Sequence, residues 1–203
     1  HFLYKQILGV VLGLGSCIFF YFFDHNRLKK FKWIAFIVSV VCLVLVFIPH
    51  IGIENYGARR WIGIGGFSFQ PSELAKFSLV LFCACHLSEH KDDIKKFKNL
   101  IPILFVGLTF CGLVILEPNM SVTMCLGLVM IAMLFVGGIS KKHFFILSVP
   151  AVLAVPALII AEPYRMKRLL AFINPWASPQ GEGFQLIQSL YALGNGGLFG
   201  VGL

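Results

Sequence analysis

Six stretches of the 203-residue chain are apolar almost without interruption: Ile7–Phe23, Trp33–Ile48, Leu74–Leu87, Leu100–Leu116, Met120–Ile139 and Phe144–Ala161. The polar residues fall mostly in short runs between them. A helix needs about 20 apolar residues to cross a bilayer, where unpaired backbone N–H and C=O groups find no water. The pattern therefore predicts an all-α polytopic membrane helix bundle with six crossings. Pro49 ends the second run, because proline lacks the N–H that a continuing helix uses. The third run is short and carries Lys76, so its helix is expected to start near Pro71, a residue tolerated in a first turn. The runs are apolar all round, and periodicity alone does not separate their buried from their lipid-facing sides.

Composition agrees. The chain is 58% hydrophobic and 13% charged, where soluble domains are about a quarter charged. A secreted disulfide scaffold, a disordered tail and a water-soluble enzyme are excluded. The net charge of +8 sits in loops between apolar runs, the placement expected beside anionic lipid, and predicts no nucleic-acid partner. Cys17, Cys42, Cys83, Cys85, Cys111 and Cys125 all lie inside apolar runs and read as small buried hydrophobes. Cys83, Cys85 and His86 come nearest to zinc spacing without reaching it, so no metal site is assigned.

Six crossings sort the loops onto two sides of one transmembrane domain, residues 1–203. Loops 24–32, 88–99 and 140–143 hold ten Lys and Arg in 25 residues. Segments 1–6, 49–73, 117–119 and 162–203 hold six in 76. The first set is cytoplasmic by the positive-inside rule, and the long loops 49–73 and 162–203 are extracytoplasmic. A chain that starts outside at His1, with no signal peptide, is expected to follow an upstream crossing.

The two long outer loops are richer in aromatic, glycine and arginine residues than a connector needs. In the first, Arg59, Arg60 and Trp61 precede Gly63, Gly65 and Gly66, with Phe67 and Phe69 beyond. The arginines suit either anionic lipid or a bidentate clamp on a phosphate or diphosphate. The glycines suit either a turn or close backbone approach to a ligand. Glu73 and Lys76 follow three residues apart, hence on one helix face at the mouth of a crossing. They form either a structural ion pair or part of a functional site facing the bundle interior.

The second long loop places Arg165 and Arg168 three residues apart, then Asn174-Pro175-Trp176. Over Gly181–Leu193, Phe184, Ile187, Leu190 and Tyr191 recur at spacings of three and four, predicting an amphipathic helix in the membrane interface. The glycine-rich run after it has no strand before it and is not a nucleotide loop; it suits a hinge.

Taken in order, Gly57-Ala-Arg59-Arg60-Trp61, Phe69-Gln70-Pro71-Ser72-Glu73-Leu-Ala-Lys76, Asn174-Pro175-Trp176, Gly183-Phe-Gln-Leu-Ile-Gln-Ser-Leu and Gly196-Gly197-Leu-Phe-Gly-Val-Gly-Leu203 resemble the SEDS family, the FtsW/RodA/SpoVE proteins of bacterial wall synthesis. Ser189-Leu-Tyr-Ala-Leu-Gly is closest in phrasing to the division and sporulation branch. The resemblance implies a bundle of about ten crossings in the bacterial cytoplasmic membrane. It implies polymerisation of lipid II into glycan strands, beside a class B penicillin-binding protein transpeptidase and other division or sporulation membrane proteins. It further implies that the chain lacks the family's first crossing and its C-terminal part, and that the catalytic aspartate belongs beyond Leu203. No catalytic residue is then expected within residues 1–203, and this polypeptide by itself is expected to be inactive. Two positions depart from the family pattern: Tyr56 stands where asparagine is common, and Glu117-Pro118-Asn119-Met120-Ser121 has asparagine and serine where aspartate and glycine are usual.

For the intact protein, an acceptor hydroxyl attacks the anomeric carbon of the growing chain and undecaprenyl diphosphate leaves. Positive charge at the diphosphate is assigned to Arg59, Arg60, Lys76 and Arg168, with Glu73 orienting Lys76 and Trp61 packing at the sugar or lipid rim. A divalent metal is compatible with this chemistry, but no cofactor is assignable. Two rival classes share these residues. A lipid II flippase predicts charge near the bilayer midplane, whereas the ionisable residues here gather at the edges. A non-catalytic membrane scaffold of the division machinery needs only the loops as docking surfaces.

Overall fold

The computed structural model describes residues 2–49, 51–55, 58–64, 67–197 and 200–202. Tyr56, Gly57, Gly65 and Gly66, singled out above, and Leu198, Phe199 and Leu203 of the glycine-rich end lie outside the described residues.

Each apolar run is a helix: α1 (Phe2–Phe22), α2 (Lys32–Leu45), α3 (Pro71–Glu89), α4 (Ile101–Leu116), α5 (Met120–Val136) and α6 (Lys141–Ile160). Two short helices follow, α7 (Pro163–Ile173) and α8 (Phe184–Gly196). By length and apolarity, Phe97–Leu116 and Lys141–Ile160 each suffice to cross a membrane, and α1 with α2 makes a third candidate as a pair bent by 107°. The six crossings expected from sequence are not reached on that measure alone. Met120–Val136, at 17 residues, spans about 25 Å at 1.5 Å per residue, short of a hydrocarbon core of about 30 Å.

The chain forms two compact units, one to Leu147 and one from Ser148. The core of the first is built by α2, α3, α4 and α5, where Leu43, Leu79, Phe82, Val106, Phe110 and Leu126 are fully buried. Trp33 meets Phe82 edge-on at 4.8 Å between ring centroids, and Phe36 meets Phe110 at 5.4 Å. Gly107 lets α4 approach α5, since a Cβ there would run into Met130 Sδ; small residues serve this purpose where lipid supplies no hydrophobic drive. Two hydroxyls tie α2 to α3. Ser78 Oγ donates to the Ala35 carbonyl at 3.1 Å, which leaves Ser39 to donate across the 2.6 Å gap to Ser78 Oγ.

Loop 49–73 contains a three-stranded antiparallel meander that the sequence pattern did not reveal: β1 (Gly52–Asn55), β2 (Ala58–Ile64) and β3 (Phe67–Phe69). Ile62 stands opposite Gly52 on one side and Phe69 on the other. Between β1 and β2 the register slips: Trp61 faces Ile53, but the next pair is Arg59 with Glu54. Arg60 is therefore the extra residue of a bulge. Such bulges bend a strand and re-aim a side chain.

In the second unit, Arg165 sits where a cation favours the exposed carbonyls of a helix C-terminus. Its guanidinium donates to the Leu158 carbonyl of α6 at 2.8 Å and to Tyr164 Oη at 3.1 Å. Trp176 packs on Tyr191 of α8 at 5.9 Å. Phe184, Leu190 and Tyr191 stay half exposed along α8 while Ile187 is buried. The cysteines divide: all six are free thiols, but Cys83 and Cys85 alone are buried, and Cys17 and Cys125 are exposed on their helices. They correct the expectation that all six are buried, because a helix that is apolar all round shows no sequence difference between its core and lipid faces.

Candidate functional site

The site in the first unit is assembled from three segments. The meander follows α2 and leads directly into α3; the turn Glu117–Asn119 joins α4 to α5. Arg60, displaced from the strand register by the bulge, reaches that turn. Its Nε donates to the Glu117 carbonyl at 3.1 Å, and a terminal guanidinium nitrogen donates to the Pro118 carbonyl. One cation thus satisfies two carbonyls released at the C-terminus of α4, where the helix dipole also favours positive charge.

The side chain of Glu117 is the second element. It is 1% exposed, and among the described residues neither carboxylate oxygen has a hydrogen-bond partner. Burial raises its pKa from 4.5 to about 7, against the opposing pull of the Arg60 charge. A buried carboxyl without partners favours the neutral form. At neutral pH Glu117 therefore divides between a proton donor and a carboxylate. In the sequence Glu117 stands out only as part of the Glu117–Ser121 turn and not as a site residue, although it is the single acidic residue between Asp93 and Glu162; isolation between two uncharged helices is the signal that points to it.

The third element is the first turn of α3. Gln70 is extended, Pro71 opens the helix, and the Glu73 N–H closes the turn on the Gln70 carbonyl at 3.0 Å. Lys76 Nζ lies 2.7 Å from Glu73 Oε1, with the lysine 31% and the glutamate 60% exposed. This ion pair stays open to ligand. Trp61 and Phe69 expose 37% and 43% of their surface, leaving aromatic edges available on the meander. Arg59 is half-buried.

Of the residues singled out by sequence, Arg59, Arg60, Trp61, Glu73 and Lys76 belong to the first unit. Arg168 belongs to the second, where its Nε lies 3.5 Å from Glu182 Oε2. The glycine-rich end has Gly197, Gly200 and Gly202 at φ of 54°, 74° and 89°, conformations that side chains bearing a Cβ adopt at a cost. Among the described residues one further group has the make-up of a metal site: His86, Glu89 and His90, at the far end of α3.

The family signature of FtsW, RodA and SpoVE, described as cell cycle protein, matches residues 1–203. The chain belongs to the FtsW/RodA/SpoVE family. It is 36% identical over 200 residues to stage V sporulation protein E of Bacillus subtilis, covering 98% of this chain and 55% of that protein. It is also 36% identical over 200 residues to a probable peptidoglycan glycosyltransferase FtsW of Pseudomonas fluorescens, covering 98% of this chain and 49% of that one. Among solved structures it is similar to a chain of a peptidoglycan synthase complex, with a TM-score of 0.71, 30% identity and coverage of 96% of this chain and 57% of that chain. The rod shape determining protein RodA of Thermus thermophilus gives a TM-score of 0.62 at 28% identity, over 74% of this chain and 49% of that one. The chain spans about half the length of the curated relatives it matches. As a member of the FtsW/RodA/SpoVE family it is an all-helical membrane protein, the small meander apart.

Proposed function

We propose that this chain carries the headgroup-binding part of a peptidoglycan glycosyltransferase that polymerises lipid II during division or sporulation. The observation that carries this reading is the arrangement at one end of the bundle. Arg60 is re-aimed by a strand bulge onto the Glu117 turn, beside a helix mouth where Lys76 is paired yet open. Fixed cations beside a membrane-embedded bundle suit a lipid diphosphate, whose leaving requires positive charge at its oxygens. In this scheme Lys76 and Arg59 meet the diphosphate, Arg60 holds the turn that walls the site, and Trp61 packs against sugar or prenyl chain.

The excess of Lys and Arg in loops 24–32, 88–99 and 140–143 supports a reading in which that end of the bundle faces the extracytoplasmic side of the bacterial cytoplasmic membrane and meets lipid II there. The matched peptidoglycan synthase complex supports a class B penicillin-binding protein as the partner.

The test is lipid II polymerisation by the full-length protein with its partner in detergent or vesicles. Alanine at Lys76 should cut product formation by roughly tenfold or more, the usual scale for a lost transition-state contact, and alanine at Arg60 should cut it as well by releasing the turn that walls the site. Unchanged strand synthesis in both variants would refute the assignment.

A further inference from the structure

The end of α3 remote from the Lys76 site holds a second constellation. His86, Glu89 and His90 stand at i, i+3 and i+4, so they share one helix face. Their ligand-type atoms lie within 4.8 Å of one another. His86 is 7% exposed, Glu89 is open and His90 half-buried, so the cluster has a protein-lined floor and a wet mouth.

The hydrogen bonds fix which nitrogens are available. His86 Nε2 lies 2.9 Å from the Asn99 carbonyl, and His90 Nδ1 lies 3.1 Å from the His86 carbonyl. A carbonyl only accepts, so both ring nitrogens must donate. That leaves His86 Nδ1 and His90 Nε2 as lone-pair donors in the neutral rings. Metal-bound histidines are held in this way, each donating its other N–H to a carbonyl or carboxylate. The rings stack at 4.3 Å between centroids and 25° between planes, and an ion bound by both nitrogens requires the more exposed His90 ring to rotate out of this stack. Glu89 keeps Oε1 as the third donor while Lys32 Nζ bonds its Oε2.

We propose that His86, Glu89 and His90 form a binding site for a transition-metal dication of the zinc class, held between two imidazoles and a carboxylate, with Lys32 as the competing cation. Two imidazoles and one carboxylate favour Zn²⁺, Co²⁺ or Ni²⁺ over the oxygen-seeking Mg²⁺ and Ca²⁺. Water completes the coordination on the open side. Because His86 also holds Asn99, whose Nδ2 donates to the Asp93 carbonyl at 3.0 Å, an ion here couples α3 to the loop between Asp93 and Asn99.

The experiment titrates Zn²⁺ into the full-length protein, purified in detergent without a histidine tag, against a chromophoric chelator; Co²⁺ is then used for visible spectra. One equivalent is expected to bind with a Kd on the order of micromolar. His90→Ala and Glu89→Ala should each weaken it by roughly tenfold or more, and His90→Cys should restore binding with a new thiolate-to-cobalt band. Lys32→Met should tighten binding by roughly tenfold, because it removes a like charge from the site. Wild-type binding no tighter than that of His90→Ala would overturn the proposal, since the remaining histidines would then account for it. A thiolate band already present in wild type would overturn the ligand set.

Discussion

Arg60 Nε donates to the Glu117 carbonyl at 3.1 Å, joining positions 57 residues apart in sequence. The contact depends on the bulge: without the extra residue in β2, this side chain would follow the regular alternation of the strand. With it, the meander is latched to the α4–α5 turn by a charged donor shared between two carbonyls.

Removing that latch should be measurable. A hydrogen bond from a charged donor contributes about 1.5–3 kcal/mol, and partial exposure of Arg60 puts the pair of bonds toward the lower figure. Arg60→Ala should therefore destabilise the detergent-solubilised protein by about 2 kcal/mol. Arg60→Lys should recover only part of this, because a single ammonium cannot reproduce the planar fork. Thermal or denaturant unfolding of the two variants decides it; equal stability of alanine variant and wild type would dismiss the latch.

Glu117 predicts a pH dependence. Its folded pKa is raised from 4.5 to about 7, chiefly by burial, so the folded state binds a proton that the unfolded state has already released between these values. Stability from this group is then full below about pH 4.5, declines as pH rises through about 7, and stays low above it. Glu117→Gln mimics the protonated form and removes the dependence. The variant should match wild type near pH 5 and exceed it at pH 8, by on the order of 3 kcal/mol as an upper figure. Unfolding midpoints at several pH values test this, and parallel profiles for the two proteins would contradict it.

Glu73 and Lys76 separate binding from folding. Their ion pair is exposed on the glutamate side and spaced i, i+3, a geometry that stabilises by about 0.5 kcal/mol or less. Lys76→Ala should barely move the unfolding midpoint while reducing polymerisation roughly tenfold. Loss of activity that tracks loss of stability would instead make the pair a structural tie.

The residues that were legible in the sequence, and those that were not, differ for physical reasons. Helix boundaries follow from hydropathy and proline: the run Leu100–Leu116 became α4 from Ile101 to Leu116, and Pro71 opens α3. The Glu73–Lys76 pairing follows from helix spacing alone. The meander was hidden because its strands are four, seven and three residues long, too short for an alternating pattern to stand out. Arg60 could be flagged as a cation, but its partner depends on a register slip that no local pattern encodes. The metal-type cluster holds no cysteine; its sequence signal is only a histidine pair one helical turn apart, His86 and His90, beside the more conspicuous Cys83 and Cys85. Packing decides which apolar side faces protein, and the exposed Cys17 and Cys125 show how little composition says about that.

The last prediction concerns the bond between α2 and α3. Ser39 and Ser78 are fully buried, and their hydroxyls form a directed chain from Ser39 to Ser78 to the Ala35 carbonyl. Interhelical hydrogen bonds within membrane bundles average about 0.6 kcal/mol and reach about 1.7. Ser39→Ala removes one donor and leaves Ser78 satisfied by Ala35, so it should cost about 0.5 kcal/mol. Ser78→Ala strands the Ser39 hydroxyl in an apolar interface and should cost more, about 1–2 kcal/mol. Once Ser78 is alanine, a second change to Ser39→Ala should give back part of that loss, since the stranded group is gone. Unfolding of the two single variants and the double variant measures the coupling directly. Additive losses would mean that the two hydroxyls act independently and that the chain of donors does not tie the helices together.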